Sequence, residues 1–199
     1  MAVLCPRCGR AYDPARFAFG RTLSCACGER VGVAPSVEHE RGAAPPRFAV
    51  DAMLGRLARW LRVLGLDASY EADIADADLV RRAHDERRWI LTRDRALPVE
   101  WRVPRIHVVA AEAPLEQLAE VVRAFALDPE ELALFARCTR CNAPLAEVSR
   151  EQAAGAVPPR ILQATARFHR CPGCGRVYWE GTHVDRMRRT LERLLRPDA

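Results

Sequence analysis

Eight cysteines limit how this chain can fold more than any other feature, because they stand in four close pairs. The pairs are Cys5/Cys8 in "CPRC", Cys25/Cys27 in "CAC", Cys138/Cys141 in "CTRC" and Cys171/Cys174 in "CPGC". Two cysteines on a tight turn can place both thiolates on one ion, and two such turns complete the tetrahedral sulfur set that Zn²⁺ favours. Sequence distance joins the first two pairs into one site and the last two into another. Glycine follows the second cysteine in "CPRCG", "CACG" and "CPGCG", where it lets backbone amides turn toward the sulfurs. Zinc is the expected metal, with rubredoxin-like iron or a redox-active C-x-x-C pair as the alternatives. A four-thiolate site has no open coordination position, so both sites are expected to be structural. Zinc can supply roughly 10–16 kcal/mol to a small peptide, which explains how segments poor in apolar residues fold.

The cysteine sets bracket the rest of the chain. An N-terminal zinc ribbon is expected over 1–35, then a Pro/Gly-rich polar linker over 36–46, "VEHERGAAPP" with its flanking serine. A central domain follows over 47–136, a second ribbon over 137–184 and a basic helix over 185–199. Charge divides along the same lines. Residues 1–46 carry 6 Arg against 4 acids, 47–136 carry 13 against 16, and 137–199 carry 12 against 6. An acidic middle between basic flanks suits a cation-binding core beside a polyanion-binding surface. All 31 basic residues counted as Lys+Arg are arginine. The absence of lysine excludes P-loop phosphate binding, Schiff-base chemistry and lysine-assisted aspartyl phosphotransfer. No apolar run approaches the roughly 18–20 residues of a membrane span, and the N-terminus lacks a signal pattern. A cytoplasmic protein is expected.

Within 47–136 the apolar run "FAV" stops at Asp51, and Met53, Leu54, Leu57, Leu61 and Leu64 then follow helical spacing until Gly65. "DASYEA" reads as a strand, "DADLVRRAHDERR" as a helix opened by Asp76, "WILTRD" as a buried strand ending near Asp94, and "RIHVVAA" as another strand. "PLEQLAEVVRAFAL" and "DPEELALFA" read as helices. Strands alternating with helices imply a parallel sheet covered by helices, with ligands beyond the carboxyl ends of the strands. Asp51, Asp76 and Asp94 can therefore converge on one edge. As a group they would bind Mg²⁺ or Mn²⁺ through oxygen. As individuals, Asp51 and Asp76 would be helix caps and Asp94 a turn residue. Arg56, Arg59 and Arg62 share a helix face that either holds phosphates or is solvated, the latter being expected for Arg62.

The blocks "FAVDAMLGRLARWLRVLGLDASY", "DADLVRRA", "WILTRDRAL", "FARCTRCNAPL" and "FHRCPGCGRVYWEGTH" together resemble the Mut-seven C-terminal RNase domain family, a branch of the PIN-like nucleases. The resemblance runs from residue 47 to about 187. It implies a PIN-like three-layer α/β/α fold with a mostly parallel sheet and a C-terminal zinc ribbon. It also implies cleavage of RNA phosphodiester bonds at an acidic Mg or Mn site. Position by position, Asp51 matches the first strand-end acid, Asp76 the acid opening the next helix, and Thr92 and Asp94 a T-x-D motif. Asp73 and Asp78 lie near enough to stand in for Asp76. Asn142, Tyr178, Trp179 and His183 match the C-terminal block. Arg56, Arg59, Arg176, Trp179 and His183 are expected to contact RNA. The N-terminal ribbon departs from the family pattern, and a ribosome or protein partner is the expectation for it.

A dehalogenase-type phosphatase would need a second Asp where Met53 stands, and a lysine as well. The rival class is a non-catalytic RNA- or ribosome-binding ribbon protein on a PIN-like scaffold. The cysteine pattern is tested first: elemental analysis of the purified protein should find about two zinc ions per chain. Disulfides within the C-x-x-C pairs, or protein free of metal, would contradict it.

Overall fold

The computed structural model describes residues 2–32 and 45–195. The expected linker falls outside these residues except for Pro45 and Pro46. In chain order the strands and helices are β1 (Val3–Leu4), β2 (Ala11–Tyr12), β3 (Leu23–Ser24), β4 (Arg30–Val31), β5 (Phe48–Val50), α1 (Gly55–Val63), β6 (Ala68–Tyr70) and α2 (Asp76–Asp85). Then come β7 (Trp89–Thr92), α3 (Leu97–Glu100), β8 (Ile106–Val108), α4 (Pro114–Ala124) and β9 (Ala146–Val148). The remainder is α5 (Arg150–Ala153), α6 (Pro159–Ala164), β10 (Phe168–Arg170), β11 (Val177–Trp179) and α7 (Thr182–Leu195). No helix among the described residues is long and apolar enough to cross a membrane. The chain divides into two compact units, Met1–Gly55 with Tyr70–Ala110 and Arg56–Ser69 with Ala111–Ala199.

The central sheet has the order β6-β5-β7-β8, and both β5 and β8 run parallel to β7. Phe48, Ala49, Val50, Ile90, Leu91 and Thr92 are buried without alternation, the pattern of strands covered on both faces. Helix α2 turns Leu79, Val80 and Ala83 onto Ala49 and Ile90, and Leu97 of α3 and Trp101 complete this core. The register sets Val50 beside Leu91, and the ladder runs on one step because the Asp51 amide donates to the Leu91 carbonyl at 3.0 Å. Asp51 is thereby fixed at the carboxyl edge of the sheet. The first ribbon belongs to this same unit. Its strands pair as β1/β2 and β3/β4 around a small core of Cys5, Phe17, Cys25 and Val31.

In the second unit the loop after α1 is tied to the "CTRC" turn. Arg62 is 3% exposed, and its guanidinium donates to the carbonyls of Ala68 (2.8 Å), Thr139 (3.0 Å) and Arg140 (2.9 Å). This corrects the expectation of a solvated Arg62: the stripe splits, with Arg56 and Arg59 exposed and Arg62 turned inward. Asn142, held at φ +69°, bridges the same loop, donating to Asp67 Oδ1 and accepting from the Ala68 amide. Gly65 sits at φ +86°, where a Cβ would fall 2.2 Å from the Ala133 carbonyl oxygen, so only glycine fits. Beyond this lies the antiparallel sheet β11-β10-β9, packed on Ala153, Val157 and Phe168 with Trp179 at its side.

The expected helix over "DPEELALFA" is a single 3-10 turn, Pro129–Glu131. Leu132 is extended, Phe135 takes φ +62°, and the Phe135 amide donates instead to the Val63 carbonyl. A tertiary hydrogen bond outweighs helical propensity there. Losing the Arg62 fork leaves three carbonyls short of a donor. Arg62→Ala should lower the denaturant-measured stability by about 3 kcal/mol. Arg62→Lys should recover little, since a point charge cannot reproduce the fork.

Candidate acidic site and the two thiolate cages

The eight cysteines gather as two sets of four, Cys5, Cys8, Cys25, Cys27 and Cys138, Cys141, Cys171, Cys174, with all sulfurs of a set within 4.8 Å of one another. Individual separations run from 3.3 Å for Cys141–Cys171 to 3.6 Å for Cys5–Cys27 and Cys138–Cys174. A disulfide requires about 2.0 Å, whereas tetrahedral zinc with about 2.3 Å bonds sets sulfurs about 3.8 Å apart. The cages therefore fit structural zinc. In the second cage the Tyr178 hydroxyl lies 3.1 Å from Cys138 Sγ, and the amides of Cys141 and Cys174 point at the sulfurs of Cys138 and Cys171. Tyr178 is thus an outer partner of the cage, a role its place in the motif did not reveal.

The acidic edge is built around Thr92, which is fully buried. Its hydroxyl donates to Asp51 Oδ2 at 2.5 Å and accepts from the Asp94 amide at 2.9 Å. One side chain thereby joins both strand-end acids. The single hydroxyl hydrogen of Thr92 goes to Asp51 and not to Asp94, and full burial keeps the hydroxyl from solvent. Asp51 is 7% exposed and makes no cap bond to the 3-10 turn Ala52–Leu54 that follows it. Asp76 is the first residue of α2, whose N-cap is Ala75. The capping explanation thus finds no hydrogen bond at Asp51 and places Asp76 one position past the cap. Asp94 does serve its turn, accepting from the Ala96 amide at 2.7 Å.

Electrostatics tie the third acid to the other two. The Asp76 carboxyl is raised above its ordinary value of 3.8, first by burial and then by the charges of Asp51, Asp94 and Glu100. Glu100, at the end of α3, is the acid that sequence reasoning missed, since no spacing rule links it to the motif. Asp73 is exposed and is not among the charges acting on Asp76. Asp78 pairs with Arg81 at 2.9 Å instead. Among the described residues only the cysteine cages bring three or more ligand atoms within 4.8 Å of one another. The acidic residues therefore do not gather three ligand atoms around one point. Carboxylate oxygens of one sign are the hard donors that Mg²⁺ or Mn²⁺ takes, so the donor chemistry fits such an ion.

The residues expected to meet RNA lie apart from one another in character. Arg56, Arg59, Arg176 and His183 are exposed, and Trp179 is half-buried against the ribbon core. Residues 46–191 match the family model described as the Mut7-C RNAse domain. No curated protein and no solved structure matches the chain.

The raised Asp76 carboxyl gives a stability signature. In the fold its charged form is disfavoured, so it costs nothing below pH 3.8. The cost appears as pH rises through the raised value and persists at neutrality. Asp76→Asn should therefore raise the melting temperature of protein freed of Mg²⁺ and Mn²⁺ at neutral pH. The gain should fade as pH falls toward the ordinary carboxylate range.

Proposed function

Because the chain belongs to the Mut7-C RNAse domain family, we propose that it is a ribonuclease dependent on Mg²⁺ or Mn²⁺ that hydrolyses RNA phosphodiester bonds. The observation that carries this is the Asp51–Thr92–Asp94 hydrogen-bond chain together with an Asp76 carboxyl raised by burial and by the charges of Asp51, Asp94 and Glu100. Asp51, Asp94 and Asp76 would hold the cation. When bound, it lowers the pKa of a coordinated water and offsets charge gathering on the phosphate.

The protein's own part is orientation. The Thr92 hydroxyl engages one oxygen of Asp51, and the turn at Ala96 engages one oxygen of Asp94. Each carboxylate is thus held in one rotamer while its other oxygen can ligate. Partners that orient metal ligands in this way are ordinarily worth 10–100-fold in affinity or activity. The exposed Arg56, Arg59 and Arg176 offer phosphate-binding charge, which positions RNA without reading its sequence. The two thiolate cages are closed and would hold the ribbons rather than take part in hydrolysis.

Asp51→Asn keeps the shape of the site and removes a ligand charge. Cleavage of mixed cellular RNA should fall by more than roughly 100-fold, beyond the loss expected from an outer partner. EDTA should abolish the wild-type activity, and added Mn²⁺ should restore it. Cleavage that persists undiminished in Asp51→Asn and Asp94→Asn, or in EDTA, would replace this function with that of an RNA-binding ribbon protein.

A further inference from the structure

The first ribbon is bonded along one edge to the segment that follows Asp94. Helix α3 has only four residues, Leu97–Glu100, too short to persist on its own and with its last carbonyls lacking helical partners. Thr22 of the ribbon, 7% exposed, meets those carbonyls. Its hydroxyl lies 2.8 Å from the Val99 oxygen and 2.9 Å from the Glu100 oxygen, and its amide donates to Glu100 at 2.6 Å. Arg30 donates both to Thr22 Oγ1 at 2.9 Å and to the Val99 oxygen at 3.1 Å.

The contact continues down the chain. The Arg102 amide donates to the Gly20 carbonyl, Arg21 forms an antiparallel bridge with Trp101, and Arg102 Nη1 reaches the Gly32 carbonyl at 3.2 Å. The Arg21 guanidinium stands 5.6 Å from the centre of the Trp101 ring. At Gly20, φ +81°, a Cβ would lie 2.4 Å from the Arg102 oxygen, so the two backbones meet with no room for a side chain. Residues 94–102 are therefore pinned at both ends. Asp94 holds the start through its own turn, and the ribbon holds the finish. Glu100, whose charge reaches Asp76, sits at the clamped end.

We propose that Thr22 is a positioning residue for the acidic site: through the Val99 and Glu100 carbonyls, the N-terminal ribbon fixes the 94–102 segment and so sets how tightly the carboxylates take a divalent cation. The ribbon is then part of the site's support, and metal loading of its cage is coupled to cation binding at the acidic edge. This rests on the acidic site being a cation site, as proposed above.

Mn²⁺ binding to the full, zinc-loaded chain, followed by the electron paramagnetic resonance signal of free Mn²⁺, provides the test. Thr22→Val removes the hydroxyl while nearly keeping the shape. It should weaken Mn²⁺ by about tenfold, the low end of what a lost outer partner costs a metal site. Zinc content should stay at wild type, and amide exchange over residues 97–102 should quicken. Thr22→Ser keeps the hydroxyl and should recover wild-type affinity, which a merely space-filling role for Thr22 would not predict. Should Thr22→Val lose its zinc, Arg30→Gln, which removes the other donor to the Val99 carbonyl, carries the test and should likewise weaken Mn²⁺. Mn²⁺ affinity unchanged in Thr22→Val or in its substitute Arg30→Gln, or equal losses in Thr22→Val and Thr22→Ser, would overturn the proposal. If the wild type itself binds no Mn²⁺, the cation site and this proposal fall together; if it binds Mn²⁺ and cleaves RNA while Thr22→Val matches it, only this proposal falls.

Discussion

Each ribbon depends on a cage of four thiolates, and much of the remaining architecture follows from how that cage is met. Strands β1 to β4 have two residues each, and two of the four residues in their buried core are cysteines. So little apolar surface cannot offset the entropy of ordering some thirty residues. The metal is expected to make up the difference. A zinc ion with four thiolates carries a net charge of about −2, and the second unit buries Arg62 beside its cage. Burial pulls the Arg62 pKa down, while Cys138, Cys141 and Asp67 push it up. The cage and the arginine thus answer one another: the thiolates make a buried guanidinium tolerable, and the guanidinium satisfies the carbonyls of the "CTRC" turn.

Both ribbons are attached by the same kind of bond. In the first unit Thr22 and Arg30 reach the carbonyls that end α3; in the second, Arg62 reaches the carbonyls of Ala68, Thr139 and Arg140. Small metal-held modules have few apolar side chains to spend on an interface, and backbone carbonyls left over at short helix ends and tight turns are abundant. A donor placed against two or three of them fixes orientation as well as position. The ribbons are therefore held by directional contacts, which transmit geometry better than apolar packing does.

What could be read in the sequence was whatever is local or periodic. Cysteine spacing gave both cages, and the unbroken apolar runs ending at Asp51 and near Asp94 gave the parallel strands and their acidic edge. Arg62 was misread because helical spacing places it with Arg56 and Arg59; the carbonyls that draw it inward are that of Ala68 and two others 77 and 78 residues away. Thr22 and Glu100 carried no signal, since their pairing joins residues 78 apart through a backbone oxygen, which has no side-chain identity to recognise. The helix expected at 128–136 failed for the same reason, a hydrogen bond from Phe135 to Val63. Thr92 was recognised as part of a motif, but the direction of its hydrogen bond depended on which acid the sheet register set beside it.

The acidic edge differs from the rest of the molecule in how its charge is met. This chain has 31 arginines and uses them freely: Glu86 takes Arg88 at 2.6 Å, Glu71 takes Arg82 at 2.7 Å, and Asp67 has Arg137 nearby. At Asp51 and Asp94 the described partners are a hydroxyl and a backbone amide, which orient a carboxylate without neutralising it. The charges acting on Asp76 are Asp51, Asp94 and Glu100, all of one sign. Repulsion of this kind lowers stability, and one nearby arginine would relieve it. An arginine would also occupy the space and the charge that a divalent cation needs. Leaving the edge negative in so arginine-rich a chain makes it weak as a structural element, and this is what the proposed cation site would require.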